Sequence, residues 1–180
     1  MTKLIEINSV NKIPAEYQNT PIGKLLEYHN FGRAFDTFET AELLVGMCMD
    51  HRKHLCMPNK FSYIIRTGGA NMQYSEFKIS YAIAIGKVRH IALIGHNNCG
   101  MEQLHTKEED FVIGLTEGAG WEKHKAKEHF NHFAPKFEIE NATDFILSET
   151  KRLRKIYPKI KIAPMFYLVE DNKLYCIEED

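Results

Sequence analysis

Three observations predict an α/β fold with a mostly parallel central sheet flanked by helices. Leu43 to Met47, Phe61 to Ile65 and Ile91 to Ile94 are short runs dominated by apolar, mostly branched residues. They lack strict apolar and polar alternation, as befits strands buried on both faces of a parallel sheet. Each hands over to polar or glycine-rich residues at its carboxyl end, where ligands of open parallel sheets gather.

Bulk properties narrow the class further. A chain of 180 residues is long enough for one domain with a real core and short for two. Residues 1–40 read as an N-terminal arm and helix, part of the same domain as the α/β unit over 41–180. Lys and Arg number 23 against 24 acidic residues, so no global field draws the chain to nucleic acid or to an anionic membrane. The basic cluster Lys151 to Lys155 lacks interleaved aromatics, which argues against a nucleic-acid surface. No apolar run approaches the roughly 20 residues of a membrane helix. Met1-Thr2-Lys3-Leu4 opens neither a signal nor a transit peptide, so the cytoplasm is the expected compartment. Four cysteines point to reduced thiols rather than a disulfide framework. Cys56 and Cys176 are expected to be buried.

The elements follow in order. Ile22 to His29 is a short helical candidate after Pro14 and Pro21, and Phe31, Phe35 and Phe38 are spaced as a helical stripe. The three strands come next. Between the second and third, Ser75 to Ile85 is apolar on most sides, the pattern of a helix buried between sheet and partner, ended by Gly86. A further helix is expected to start near Gly100. Residues 105–140 are polar, with a helix over 117–133 whose His124, His129 and His132 read as a solvated face held by Trp121, Phe130 and Phe133. Asn141 can cap a helix running to Tyr157, which Pro158 ends. Met165 to Val169 and Leu174 to Ile177 flank a hairpin turn.

The chemistry sits at the strand ends. Two thiolates and one imidazole suit a borderline-soft dication such as Zn2+, and three protein ligands leave a fourth tetrahedral position open. Cys48 follows the first strand, and His96-Asn97-Asn98-Cys99 follows the third, so one turn can supply two ligands. The alternative is two small buried cysteines and a histidine at a helix start. Asp50 and Arg52 follow Cys48 at steps of two, which lets all three point to one side. A carboxylate held by a guanidinium keeps its charge and orientation. Asp50 can therefore accept from a metal-bound water or bind the metal itself; the alternative is a surface ion pair. His51 and His54 read as loop histidines, with proton passage to solvent as their other use. Gly68 and Gly69 after the second strand allow close backbone approach by a small anion, or mark an ordinary turn.

Cys48-Met49-Asp50-His51-Arg52, then Arg66-Thr67-Gly68-Gly69, then Gly95-His96-Asn97-Asn98-Cys99-Gly100-Met101 resemble the three motifs of the β-class carbonic anhydrases. The resemblance covers residues 40–104 well, the last strands loosely, and the N-terminus and residues 105–140 hardly at all. It implies Cys48, His96 and Cys99 as zinc ligands, and Asp50 with Arg52 as the dyad beside zinc-bound water. It further implies reversible hydration of carbon dioxide to bicarbonate by a metal-bound hydroxide, in a homodimer or higher homo-oligomer. Two departures stand out. His51 replaces a commonly small residue, and Arg66-Thr67-Gly68-Gly69 replaces the usual Arg-Asn-Ala-Gly. A hydrolase of COS or CS2 on the same scaffold, or a non-catalytic zinc-binding protein, is the alternative.

Overall fold

The computed structural model describes residues 2–179. Six strands form one sheet: β1 (Leu4–Ile5), β2 (Leu43–Cys48), β3 (Ser62–Thr67), β4 (His90–His96), β5 (Lys161–Leu168) and β6 (Lys173–Ile177). Their order is β1-β6-β5-β4-β2-β3. β3, β2, β4 and β5 run parallel, while β6 and β1 join antiparallel. Among the described residues the α-helices are α1 (Pro21–Phe31), α2 (Glu76–Ala84), α3 (Glu108–Ala119), α4 (Lys123–Phe137) and α5 (Ala142–Ile156).

Alternation along the strands divides the core in two. Val45, Met47, Ala92, Ile94, Met165 and Tyr167 face α1, which buries Ile22, Leu25, Leu26 and Tyr28 against them. Leu44, Ile91, Leu93, Ile162 and Phe166 face the opposite side, where α2 supplies Ile79 and Ala82 and α5 supplies Ile146 and Leu153. α5 lies so close that a Cβ on Gly95 would sit 2.7 Å from Ile146 Cγ1. Residues 4–31 pack on the chain's own sheet. The Asn30 amide ties α1 to β6, donating to the Leu174 carbonyl at 2.8 Å and accepting from the Leu174 N–H at 3.0 Å.

Several local expectations are corrected. The phenylalanine stripe is not helical throughout: Gly32 takes a left-handed conformation (φ 62°) and ends α1. Phe38 is buried against Phe61, and Phe35 is exposed. The helix expected over 117–133 is two helices, because Gly120 (φ 71°) closes α3 and α4 restarts at Lys123. No helix begins at Gly100; a turn and a short 3-10 segment over Leu104–Lys107 precede α3. Cys56 is exposed, unlike Cys176. The α2 expectation stands on its sheet side, where Ile79 and Ala82 are buried, while Phe77 and Tyr81, with Ile85 just past the helix, are exposed on the single chain.

One buried charge ties α5 to the segment before α2. Glu149 is 2 % exposed; one carboxylate oxygen accepts from the Met72 N–H at 2.9 Å and from Arg152 Nη2 at 2.8 Å. The other accepts from Arg152 Nε at 2.7 Å, and Arg152 also pairs with Glu76. Removing one partner of a buried pair leaves an uncompensated charge. Arg152→Ala should therefore lower unfolding free energy by about 3 kcal/mol, read as an earlier midpoint in urea denaturation with an unchanged slope.

Candidate metal centre

β2 and β4 are adjacent and in parallel register, with Met47 opposite Ile94. Cys48 and His96 therefore leave the sheet at the same edge, and the turn after β4 folds Cys99 back towards them. All three residues are buried, and their ligand atoms lie within 4.8 Å of one another. Cys48 Sγ is 3.9 Å from Cys99 Sγ. Tetrahedral zinc with Zn–S bonds of about 2.3 Å spaces two sulfurs by about 3.8 Å.

The imidazole is prepared for coordination. His96 Nδ1 lies 2.8 Å from the Asn97 carbonyl, which can only accept. Nδ1 must carry the hydrogen, and Nε2 keeps its lone pair. Nε2 is buried and has no hydrogen-bond partner. A buried polar atom left unpaired costs about 1–3 kcal/mol, and a metal removes that cost. The Cys99 thiol, donating to Cys48, holds the Cys48 thiol well below its ordinary range; the same hydrogen bond and burial push Cys99 up. The donor chemistry, spacing and orphaned nitrogen fit a zinc-type metal site.

Asp50 stands beside the donor set, with Oδ2 4.0 Å from His96 Nε2. Arg52 grips both its oxygens, through Nε to Oδ1 at 3.0 Å and Nη2 to Oδ2 at 2.6 Å, and through its backbone N–H at 2.9 Å. Arg52 also donates to the Asn98 carbonyl at 2.9 Å, linking the two ligand-bearing loops. The Arg52 guanidinium, with Lys53 and His96 nearby, holds the Asp50 carboxyl below the usual carboxylate range.

Gly68 and Gly69 lie in a tight turn after β3, and Gly69 has φ 61°. A Cβ on Gly68 would lie 3.0 Å from Met101 Sδ. The two glycines thus sit against the loop that carries Cys99. His51 and His54 are exposed.

Three supporting residues have roles that the sequence pattern does not assign, although Arg66 opens the second motif. Arg66 reaches from β3 to the Cys48, Asp50 and Lys53 carbonyls at 3.4, 3.4 and 3.2 Å and clasps the first ligand loop. Lys53 is buried with an unpartnered Nζ; burial pulls its pKa down, opposed by the charges of Cys48, Asp50 and Cys99. Glu170, from the β5–β6 turn, accepts from Asn97 Nδ2 at 2.7 Å and from Asn98 Nδ2 at 3.3 Å. The Val169 N–H in turn donates to Asn97 Oδ1 at 2.9 Å.

No family model and no curated protein matches the chain. Solved structures do. β-Carbonic anhydrase isoform I of Trichomonas vaginalis superposes with a TM-score of 0.62 at 17% identity, over 82% of this chain and 89% of that one. Carbonic anhydrase from Glaciozyma antarctica gives 0.59 at 21%, over 90% and 98%. The apo form of a carbon disulfide hydrolase gives 0.56 at 17%, over 78% and 80%. The chain therefore has the β-carbonic anhydrase fold.

Partners that hold a ligand loop typically affect metal affinity about 10–100-fold. Glu170→Ala should weaken zinc binding by about that factor in competition with a chromophoric chelator. Glu170→Gln, which keeps an acceptor for Asn97, should recover part of the loss.

Proposed function

We propose that this chain, built on the β-carbonic anhydrase fold, is a zinc-dependent carbonate dehydratase that interconverts carbon dioxide and bicarbonate: CO2 + H2O gives HCO3− and a proton. The observation that carries the reading is the buried Cys48, His96 and Cys99 cluster, with a bare Nε2, beside an Asp50 locked by Arg52. Cys48 Sγ, His96 Nε2 and Cys99 Sγ would hold the zinc. Zinc bound there supplies the Lewis acidity that makes water nucleophilic near neutral pH.

The chain's own groups do the rest. Asp50 accepts a hydrogen bond from the reacting water and orients it; Arg52 keeps Asp50 ionised and aimed. Both Asp50 oxygens accept from Arg52, which supports an acceptor role over that of a fourth ligand, and so an open site over a closed, non-catalytic one. The Cα faces of Gly68 and Gly69 pack on Met101, Phe137 and Ile139, so contact with CO2 or bicarbonate falls to the amides of that turn. The proton leaves to solvent. COS and CS2 share the electrophilic cumulated carbon, and the fold likeness to a carbon disulfide hydrolase supports them as the second reading. No helix among the described residues is long and apolar enough to cross a membrane. Four free cysteines suit the reducing cytoplasm.

Two experiments test the reading. Cys48→Ser, His96→Ala and Cys99→Ser should each lose zinc by elemental analysis. Asp50→Ala should keep zinc and lose CO2 hydration by about 100-fold or more in stopped-flow assays, on the scale of a positioned acid–base group. Full zinc content in the ligand variants, or unchanged turnover in Asp50→Ala, would refute the assignments.

The assembly belongs to the same reading. β3 is an edge strand exposing Tyr63 and Ile64, and α2 exposes Phe77, Tyr81 and Ile85 at helical spacing. Phe77 is 82 % exposed. An apolar face of that kind on an unpaired edge suits a second copy of the chain. Phe77→Asp should convert a dimer to monomer in analytical ultracentrifugation; a wild-type chain that sediments as a monomer would remove this interface.

A further inference from the structure

A cavity of about 390 Å3 opens beside the metal-bearing loops. Three of its residues come from those loops and the glycine turn: Met49 follows Cys48, Met101 lies two beyond Cys99, and Gly68 follows β3. The opposite wall is built by α3 and α4, from the stretch the family motifs do not reach. Phe111 and His129 stack there at 6.2 Å and 13°, Phe111 meets Phe130 at 5.1 Å, and His129 meets Phe133 at 4.7 Å.

Three features set its chemistry. The His129 ring is the only polar side chain in the lining, and that ring is engaged with aromatic neighbours. A charged ligand entering such a wall would lose its hydration without a partner, which is strongly unfavourable. Rings and thioethers together favour an apolar, polarisable occupant. Finally, the missing side chain of Gly68 lets Met101 and Phe137 close against bare backbone and so form this part of the wall, since a Cβ there would meet Met101 Sδ at 3.0 Å and Phe137 Cδ1 at 3.3 Å. The volume far exceeds what a three-atom molecule needs; a closed cavity of about 150 Å3 already accepts benzene.

We propose that this cavity is a binding site for an uncharged aromatic or similarly apolar organic molecule, distinct from the CO2 or bicarbonate position at the metal. The walls converge from five separate segments of one chain into a concavity, the shape of a small-molecule site rather than of a flat protein-docking face. The occupant would sit against Met49 and Met101 and on the rings of α4. The inference does not depend on turnover.

The test uses the zinc-loaded full chain with [13C-methyl]methionine, titrated with toluene and, in parallel, with benzoate. Toluene should move the Met49 and Met101 methyl resonances saturably while those of Met47, Met72 and Met165, buried in the core, stay in place. Benzoate at equal concentration should move none. Quenching or enhancement of Trp121, the single tryptophan, should follow the same curve, since its ring lies 5.2 Å from His129. Ala134→Leu, which extends a lining side chain of α4 into the cavity, should weaken toluene binding at least tenfold. No shift, shifts spread over the core methionines, an equal response to benzoate, or undiminished binding in a folded Ala134→Leu protein would overturn the proposal. Should Ala134→Leu fail to fold, the wild-type methyl pattern decides alone.

Discussion

Parallel pairing of β2 with β4 on one side and β3 on the other is the constraint on which the site depends. Register sets Met47 opposite both Ile94 and Arg66. Neighbouring strands lie about 4.8 Å apart, so the residues just past each register point meet without any long loop to position them. Cys48 and His96 arrive at one edge for this reason. Arg66 arrives there too, one strand over, and its guanidinium holds the Cys48 and Asp50 carbonyls. A slip of one residue would turn these side chains to the other face and destroy the donor set together with the core. Selection for a packed sheet and selection for the site thus act on the same register.

The electrostatics at that edge are demanding. Two sulfurs, an imidazole nitrogen without a partner, a carboxylate and a buried ammonium lie close together. In low dielectric each needs a counterpart. Asp50 has Arg52, the sulfurs share a hydrogen bond, and Lys53 feels the charges of Cys48, Asp50 and Cys99. His96 Nε2 has no hydrogen-bond partner, and neither has Lys53 Nζ. The core and the Glu149 network can carry such a cost, because local strain persists where the surroundings over-determine it. Metal uptake would return that cost as folding stability.

How legible this was in the sequence depends on whether a feature is local. The three parallel strands, α5 with its Asn141 cap, and the spacing of His96 and Cys99 rest on periodicity and turn chemistry within a few residues, and all were readable. Cys48 joined them because it too follows a strand. Glu170 and Arg66 could not be assigned in this way, since their roles come from hairpin geometry and strand order. The polar stretch after Gly100 was misdivided because Glu- and Lys-rich helices carry a weak apolar period; Gly118 and Gly120 were the available signal for the break. The apolar surround of α2 reads as burial between sheet and partner, and its outer face lies bare on the single chain. Sequence pattern registers the need for cover and does not distinguish a partner's from the chain's own.

One departure of the chain from the β-carbonic anhydrase motifs, the altered glycine turn, is tied by packing to the helical pair that the motifs do not reach. Where an alanine is usual, Gly68 stands, and the space that its side chain would take is occupied by Met101 and Phe137. Phe137 closes α4, the helix least like anything in the family motifs. Asn71, three residues after Gly68, donates through Nδ2 to the Lys136 carbonyl at 2.9 Å, so the glycine turn also anchors the end of that helix. An alanine at 68 would press on the thioether beside the Cys99 loop at 3.0 Å, a distance at which one neighbour must move. The altered glycine turn and the unmatched helical pair therefore form a single adaptation: bare backbone on one side admits the aromatic end of α4 on the other. The Cys48, His96 and Cys99 donor set at the strand ends is compatible with a differently built wall beside it.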